Sequence, residues 1–322
     1  AFLEDAIELD VDALCDTEEC YVGAVLEHIE ECGIHSGDSA CCWPPFSLSE
    51  KIIDQIRDIT KKLALACGIR GLLNIQYAVR DEHVFVIELN PRASRTVPFS
   101  SKATGVSLAK YASRIMAGEK ISELRAQGLL PDENRTVDYY AVKEAVMPWS
   151  RFPGADSILG PEMKSTGEVM GIARTFPAAY AKTREAVENK LPEQGSVFIS
   201  VCDRDKRAIA PVAMALENLG YGIYTTGGTA KTLRAAGIDC TIVNRISDGH
   251  PNVVDLMRDK TVSFIINTPH GHEAHSDGTK MRAEAVSQGI TCVTAMSAAT
   301  ALIQALAAAR KSEPETFALQ DL

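Results

Sequence analysis

The sequence has no apolar run approaching the roughly 20 residues that a membrane helix needs, so a membrane span is not expected. Its first residues, AFLEDAIELD, carry no basic stretch ahead of an apolar core, so no secretory signal is expected there. The nine cysteines form no CxxC pair and no zinc-ligand spacing, and they read as reduced thiols of a cytoplasmic protein. Positive charge is in deficit: 33 Lys and Arg face 43 Asp and Glu, a formal net charge of -10. That balance argues against a broad nucleic-acid surface and leaves anionic ligands to local basic pockets. There is no internal repeat and no low-complexity tract. What remains is an ordinary globular composition, 46% hydrophobic and 24% charged, and 322 residues are enough for two domains with separate cores.

In residues 7–13, Ile7, Leu9, Val11 and Ala13 alternate with Glu8, Asp10 and Asp12, the period of a half-buried strand. A second strand is expected over 21–29, then an irregular loop, GIHSGDSACCWPP. A long helix follows, with Ser47 and Glu50 spaced as a capping box, an apolar stripe of Ile52, Ile56, Ile59 and Leu63, and Gly68 placed to end it. Strands at 72–79 and 84–90 flank a short polar turn. A turn made of Asp81, Glu82 and His83 pairs position 80 with 84. It sets Gln76 opposite Glu88 and Asn74 opposite Asn90, so Gln76, Glu88 and Asn90 share a face. Beyond about residue 190 the strand-like SVFISV, YGIYTT, CTIVN, SFIINT and TCVT alternate with helical patterns at 209–219, 230–236 and 298–309, which implies a compact parallel α/β domain. The boundary is placed in LPEQG, residues 191–195, giving domains 1–190 and 191–322.

The chemistry concentrates in VFVIELNPRASRTVPFSSKATG, residues 84–105. Glu88 and Asn90 are hard oxygen ligands suited to magnesium on nucleotide phosphates. Arg92 and Arg95 follow at the strand end, where guanidinium groups can stabilise phosphoryl oxygens. A surface hairpin with solvated charges fits the same composition.

The string IELNPRASRTVPFSSKATG closely resembles the metal-binding signature of the carbamoyl-phosphate synthase large subunits. The Glu-x-Asn core is shared with other ATP-grasp enzymes, whereas the continuation through RTVPF and SKATG is far more specific. RTVPF resembles the second of that family's two synthetase halves, which phosphorylates carbamate. FLEDAIELDVDA, HIEECGIHSGDSA, VKEAVMPW and LGPEMKSTGEVMG extend the likeness over nearly the whole first domain. By position, Leu3 resembles the hinge residue beside adenine and Glu8 the ribose-holding carboxylate. Ile34, His35 and Ser36 match the nucleotide-side loop. Gln76, Glu88 and Asn90 match the metal-binding side chains, and Arg92 and Arg95 the phosphate-facing arginines. His28, Glu30, Asp38 and Glu144 match an ornithine-like effector pocket. The implied reaction is carbamate plus MgATP giving carbamoyl phosphate and ADP, with Mn2+ able to replace Mg2+ and K+ as a further ion. Protein groups position reactants and neutralise charge, with no covalent intermediate. His35 reads as a nucleotide contact, not a general base. The spacing of His270, His272 and His275 suits a metal, but no cysteine or carboxylate pattern supports one.

The second domain resembles the methylglyoxal-synthase-like regulatory domain of the same family. TTGGTA, residues 225–230, sets glycines between strand and helix, where backbone N–H groups and the helix dipole favour a phosphate. Thr226 and Thr229 add hydroxyls, and Lys206, Arg245 and Asn267 match phosphate or nucleotide contacts for an effector such as UMP or IMP. The aspartate-proline catalytic motif of true methylglyoxal synthases is absent after FIINT. Pro269, where some relatives carry a hydroxyl, removes both a side-chain donor and a backbone N–H.

The resemblance thus implies an α/β protein: an ATP-grasp C-terminal lobe followed by a Rossmann-like parallel-sheet domain. The sequence starts at the stretch resembling the hinge strand. The lobe carrying the Gly-rich loop, the first synthetase half and the glutaminase small subunit are therefore expected elsewhere, and the isolated chain is expected not to complete the reaction. A homo-oligomer is compatible with the family, as is a mitochondrial homologue. The alternative is a non-catalytic effector-binding module. A biotin carboxylase is disfavoured by RTVPF, SKATG and the fused second domain.

Overall fold

A computed structural model describes residues 6–152, 154–187, 192–268, 277–311, 315–316 and 318–321. Two compact units emerge: Ala1–Ala145 with Gly160–Thr183 and Pro314–Leu322, and Val146–Leu159 with Arg184–Glu313. The main change between the units thus falls at Thr183/Arg184, and residues 146–159 group with the second unit.

In the first unit the strands are β1 (Ile7–Asp16), β2 (Cys20–His28), β3 (Cys41–Trp43), β4 (Arg70–Arg80), β5 (His83–Asn90), β6 (Tyr140–Val146) and β7 (Gly167–Ala173). They form one sheet in the order β5-β4-β1-β2-β3-β6-β7. The helices are α1 (Glu50–Ala66), α2 (Val97–Thr104), α3 (Leu108–Met116), α4 (Ile121–Ala126) and α5 (Phe176–Ala186). The odd residues of β1, Leu9, Val11, Ala13 and Cys15, join Leu73, Ile75 and Tyr77 of β4 in a core that Ile52, Ile53 and Ile56 of α1 close. At one end of the opposite face Leu14 packs with Leu108, Tyr111 and Ile115 of α3.

The apolar stripe of α1 forms as its spacing predicts, and Gly68, at φ 62, lies beyond its Cys67 cap. The capping box does not form. Ser49 is the N-cap, because Ser47 is taken by Glu27, which accepts both its hydroxyl and, at 3.0 Å, its backbone N–H.

The β4–β5 hairpin corrects the expected turn and keeps the expected face. Arg80 pairs with His83, so only Asp81 and Glu82 make the turn, both at positive φ as a two-residue primed turn requires. That alone shifts every pair by one residue and throws Glu88 to the other side. A bulge between Gln76 and Tyr77 inserts Ile87 and cancels the shift, restoring Gln76 opposite Glu88 and Asn74 opposite Asn90.

β1 also differs from the expected half-buried strand. Glu8, Asp10 and Asp12 are 4%, 0% and 0% exposed. The strand is central, and its polar face is covered by donors from β2, β4 and the loop after β5.

The second unit alternates β8 (Ser196–Ser200), α6 (Lys206–Asn218), β9 (Gly222–Thr225), α7 (Gly227–Ala235), β10 (Thr241–Ile242), α8 (Val253–Arg258), β11 (Phe264–Asn267), α9 (Asp277–Gln288), β12 (Thr291–Val293) and α10 (Met296–Ala309). The sheet order is β10-β9-β8-β11-β12, parallel in every pair. Residues of α6, α7 and α10 fill the core on one face and those of α8 and α9 fill it on the other. The five expected strands are present. The helices α8 and α9 are additional, and α7 starts three residues earlier than expected, on the glycines of TTGGTA.

Asp16 ties the first hairpin to α4. Its Oδ1 accepts the N–H groups of Glu18 (2.9 Å) and Glu19 (2.7 Å), and its Oδ2 that of Ile121 (2.8 Å). Burial pushes its carboxyl upward, but the amides of Glu19, Ile121 and Glu18 and the charge of Lys120 outweigh it, so it sits below the ordinary 3.8. A depressed carboxylate stabilises the fold fully above its unfolded pKa, and that stability is lost as pH falls through the folded value. Asp16→Ala is therefore expected to cost on the order of 1–3 kcal/mol at neutral pH. Urea midpoints should show this deficit shrinking as pH drops below about 4.

Candidate functional site

The first candidate site is built on the polar face of β1, β4 and β5. Glu88 and Asn90 alternate on β5 toward the side that Gln76 occupies on β4, and Asn90 Nδ2 donates to Glu88 Oε1 at 2.7 Å. That leaves Asn90 Oδ1, Gln76 Oε1 and the second Glu88 oxygen for another partner. One carboxylate and two amide oxygens are a hard donor set that fits a magnesium ion which keeps waters and shares phosphate oxygens. Such a set is too oxygen-rich and thiolate-poor for zinc. Among the described residues no three His, Cys, Asp or Glu side chains form a metal cluster. His270, His272, His275 and Pro269 lie outside the described residues, as does Leu3.

Arg92 and Arg95 sit exposed in the loop that links β5 to α2. The loop folds back on the strand end through Arg92 N–H to the Asn90 carbonyl at 2.8 Å. Below it lies a buried polar cluster. Asn74 Nδ2 donates to Asp10 Oδ1 (3.0 Å) and Asp12 Oδ1 (3.1 Å), and His28 Nε2 lies 2.8 Å from Asp10 Oδ2. Burial pushes Asp10 up, yet the His28 bond and charge, the Asn74 amide and the Lys143 charge together hold it below 3.8. Asp12 is raised above 3.8, by burial first and by the Asp10 charge, against the lowering bonds of Ser94, Thr96 and Ser100.

Glu8 Oε2 accepts the Gly33 N–H at 2.7 Å, which ties the strand to the 33–38 loop. In that loop His35 Nδ1 accepts from Gly37 N–H (2.9 Å), and the His35 N–H donates to the Gly160 carbonyl (2.9 Å). Ile34 is half-buried and Ser36 buried. The fully buried Lys143 of β6 donates to the Ser36 carbonyl at 2.8 Å. Of the proposed effector set, Asp38 accepts the amides of Lys164 (2.8 Å) and Ser165 (2.9 Å), and Glu144 accepts the Thr183 hydroxyl (3.0 Å). His28 is turned onto Asp10, and Glu30 is half-buried. His28, Asp38 and Glu144 are thus already bonded within the chain.

The second candidate site is a cavity of about 460 Å³ in the second unit, large enough for a nucleotide-sized ligand. Lys206, Thr226, Thr229, Arg245 and Asn267 all line it. It opens where the carboxyl ends of β8 and β11 meet the N-terminus of α7, the point at which the chain's strand order reverses. Thr226 is the N-cap of α7, whose first two residues are Gly227 and Gly228.

Comparison with known proteins bears on both sites. Residues 1–124 match the family described as carbamoyl-phosphate synthase L chain, ATP binding domain, and residues 208–294 match the MGS-like domain. The chain is 48% identical over 320 residues to a carbamoyl phosphate synthase large chain of Acidobacterium capsulatum, covering 99% of this chain and 29% of that one. It is 49% identical over 327 residues to the large chain's C-terminal section in Methanocaldococcus jannaschii, covering 100% and 53%. The chain belongs to the carbamoyl phosphate synthase large-chain family.

It spans 29% of the bacterial relative and 53% of the archaeal section. Its fold is the one expected: an ATP-grasp lobe of the synthase large chain followed by an MGS-like parallel-sheet domain. Among the described residues no helix is long and apolar enough to cross a membrane.

Several residues placed in or beneath these sites carry no sequence signal of their own. Lys143 lies in the matched VKEAVMPW string, but a lysine in a strand reads as a surface residue. Arg282 of α9 is one of two cations in a helix without a motif, the other being Lys280. In the folded chain it is 3% exposed and lines the cavity. Its Nε and Nη2 donate to Asp156 at 2.6 and 2.9 Å, and its Nη1 donates to Asn267 Oδ1 at 2.8 Å. Only the folded chain brings Asp156, 126 residues away, to this guanidinium.

Arg282→Met keeps the length of the side chain and removes both partnerships. It is expected to destabilise the second unit by about 1–3 kcal/mol, since the guanidinium's bonds to the Asp156 carboxylate and to Asn267 Oδ1 are lost. The drop should appear as a lower urea midpoint with an unchanged m-value.

Proposed function

We propose that this chain is the carbamate-phosphorylating segment of a glutamine-hydrolysing carbamoyl-phosphate synthase, serving pyrimidine and arginine biosynthesis in the cytoplasm. The observation that carries this reading is one shared face. The oxygen donors of Gln76, Glu88 and Asn90 stand at the end of β5 from which the Arg92–Arg95 loop departs. In the proposed reaction a carbamate oxygen attacks the γ-phosphorus of ATP, the bond to the β-bridging oxygen breaks, and ADP leaves. Magnesium, or manganese in its place, supplies charge neutralisation on the phosphates when bound; K+ is a further candidate ion. Gln76, Glu88 and Asn90 hold the metal, and Arg92 and Arg95 take charge developing on the transferred group. Glu8, Ile34, His35 and Ser36, with Leu3, form the nucleoside side.

The first domain is assigned to 1–190 and the effector domain to 191–322. Lys206 and Arg245 supply charge for a phosphate, and the Thr226 and Thr229 hydroxyls and the Asn267 amide supply hydrogen bonds. A nucleoside monophosphate such as UMP or IMP fits that chemistry. The His28, Glu30, Asp38 and Glu144 set is assigned to an ornithine-like effector. The glutaminase small subunit is the proposed partner, reached through the rest of the large chain. The competing reading, a binding module without catalysis, is favoured only by the completeness of the second unit's cavity.

Two measurements test this. Co-assembled with the preceding part of a relative's large chain, the chain should make ATP from ADP and carbamoyl phosphate, and Glu88→Ala should lower that rate by about 10²–10³-fold. The chain alone should not turn over. Should the assembly stay inactive while the effector unit binds nucleotide, the binding-module reading prevails. Calorimetry of the chain with UMP and with IMP should show binding to one of them that Thr226→Ala weakens by about 1–3 kcal/mol. A folded chain that binds neither would refute the nucleotide-effector assignment.

A further inference from the structure

Asp12 lies outside every residue set assigned above, and no exposed surface reports it: its exposure is 0%. Four donors converge on its two oxygens. Oδ1 accepts from Ser94 Oγ at 2.6 Å and Asn74 Nδ2 at 3.1 Å, and Oδ2 accepts from Thr96 Oγ1 and Ser100 Oγ, each at 2.7 Å. Four donors on two oxygens are the hydrogen-bonding complement of a carboxylate, which only accepts, and the three hydroxyls oppose the burial and the Asp10 charge that raise its pKa. Charge-assisted bonds of this kind are the stronger class and fix geometry.

The donors are not scattered. Ser94 and Thr96 bracket Arg95, Thr96 is the N-cap of α2, and Ser100 lies in that helix's first turn. The loop from 91 to 96 belongs to no helix or strand, and its arginine side chains project into solvent. A guanidinium on such a loop is only as well placed as the backbone beneath it. Asn74, the fourth donor, is paired across the strands with Asn90. One carboxylate on the central strand therefore touches both the arginine loop and the residue paired with the metal-side asparagine.

We infer that Asp12 is a positioning residue for the phosphate-facing arginines: fixed on β1, it grips Ser94, Thr96 and Ser100 and so sets where Arg92 and Arg95 present their guanidinium groups. The inference rests on reading those arginines as phosphate contacts. Asp12 touches no reactant and acts through the loop. A carboxylate that merely stabilises the fold would loosen the whole unit when lost. One that positions a loop loosens that loop selectively and loses its importance once the arginine is already impaired.

Asp12→Asn separates these outcomes, because it keeps the shape and removes the charge. In the full chain, amide hydrogen exchange over 91–98 should rise by about tenfold or more while exchange over 70–80 stays within about twofold. If Asp12→Asn does not fold, Ser94→Ala with Thr96→Val deletes the loop's half of the same bonds and should give the same local pattern. In the co-assembled synthase, Asp12→Asn should lower kcat by about 10²-fold with KM for MgATP within about threefold, the signature of misplacement without lost ground-state binding. In an Arg95→Lys background the same substitution should cost less than about threefold, because the two changes share one pathway. Unchanged exchange over 91–98, a uniform rise across the unit, or full multiplicativity with Arg95→Lys would each overturn the inference. An assembly that makes no carbamoyl phosphate overturns the proposed function instead, and the exchange pattern still decides the role of Asp12.

Discussion

Two aspartates buried side by side on a central strand are the constraint around which the first unit is arranged. Removing a carboxylate from water costs several kcal/mol unless donors replace the lost solvent, and Asp10 and Asp12 share this burden two residues apart. The chain answers with donors from every neighbouring element. β2 contributes the His28 ring, β4 the Asn74 amide, and the loop and helix after β5 three hydroxyls. Asn74 gives its amide to both acids and is the hinge of the arrangement. Because each donor must stay within about 3 Å of a fixed strand, the acids dictate where β2, β4 and the arginine loop lie. The polar cluster is thus the scaffold of the candidate site as well as a cost to folding.

The alternation of acids on β1 was visible in the sequence, and its meaning was not. Period-two alternation tells which side chains share a face, but burial depends on what covers that face, and the covering hydroxyls come from residues more than eighty positions away. The hairpin of β4 and β5 shows the opposite case. The pairing of Gln76 with Glu88 was legible although the turn was assigned one residue too long, because a bulge at Ile87 cancels the error. A bulge has no signature in a strand of ordinary β-formers, so only the compensated register could be read. The capping box failed for a similar reason: Ser47 had a stronger claimant in Glu27, twenty residues away, which takes both its backbone N–H and its hydroxyl.

In the second unit more could be read, because its chemistry is local. Glycines at a strand-to-helix junction make an anion site by themselves, and the five residues matched by resemblance do line one cavity. Arg282 escaped because its meaning depends on Asp156, a residue of the stretch that follows β6, and on Asn267 at the end of β11. Its guanidinium orients the Asn267 amide within the cavity wall. A ligand that bonds that amide meets a group already aimed, and pre-aimed groups bind without losing side-chain entropy.

The same division of labour explains why the residues nearest the proposed chemistry are the exposed ones. Glu88, Arg92 and Arg95 stand on an edge strand and a loop, where phosphates and a metal ion can reach them. Charges in that position are mobile and well hydrated, and catalysis by electrostatic stabilisation needs groups that do not reorganise as charge develops. Burying the arginines would solve the mobility and block access. Anchoring their loop to a buried carboxylate solves it while leaving the guanidinium groups exposed to a ligand, Arg92 held by an Nη1 bond to the Ala93 carbonyl at 3.0 Å. Here the energetic cost of burying Asp12 is incurred beneath the loop, where no reactant has to pass. Its benefit appears one layer above, where the arginines face solvent.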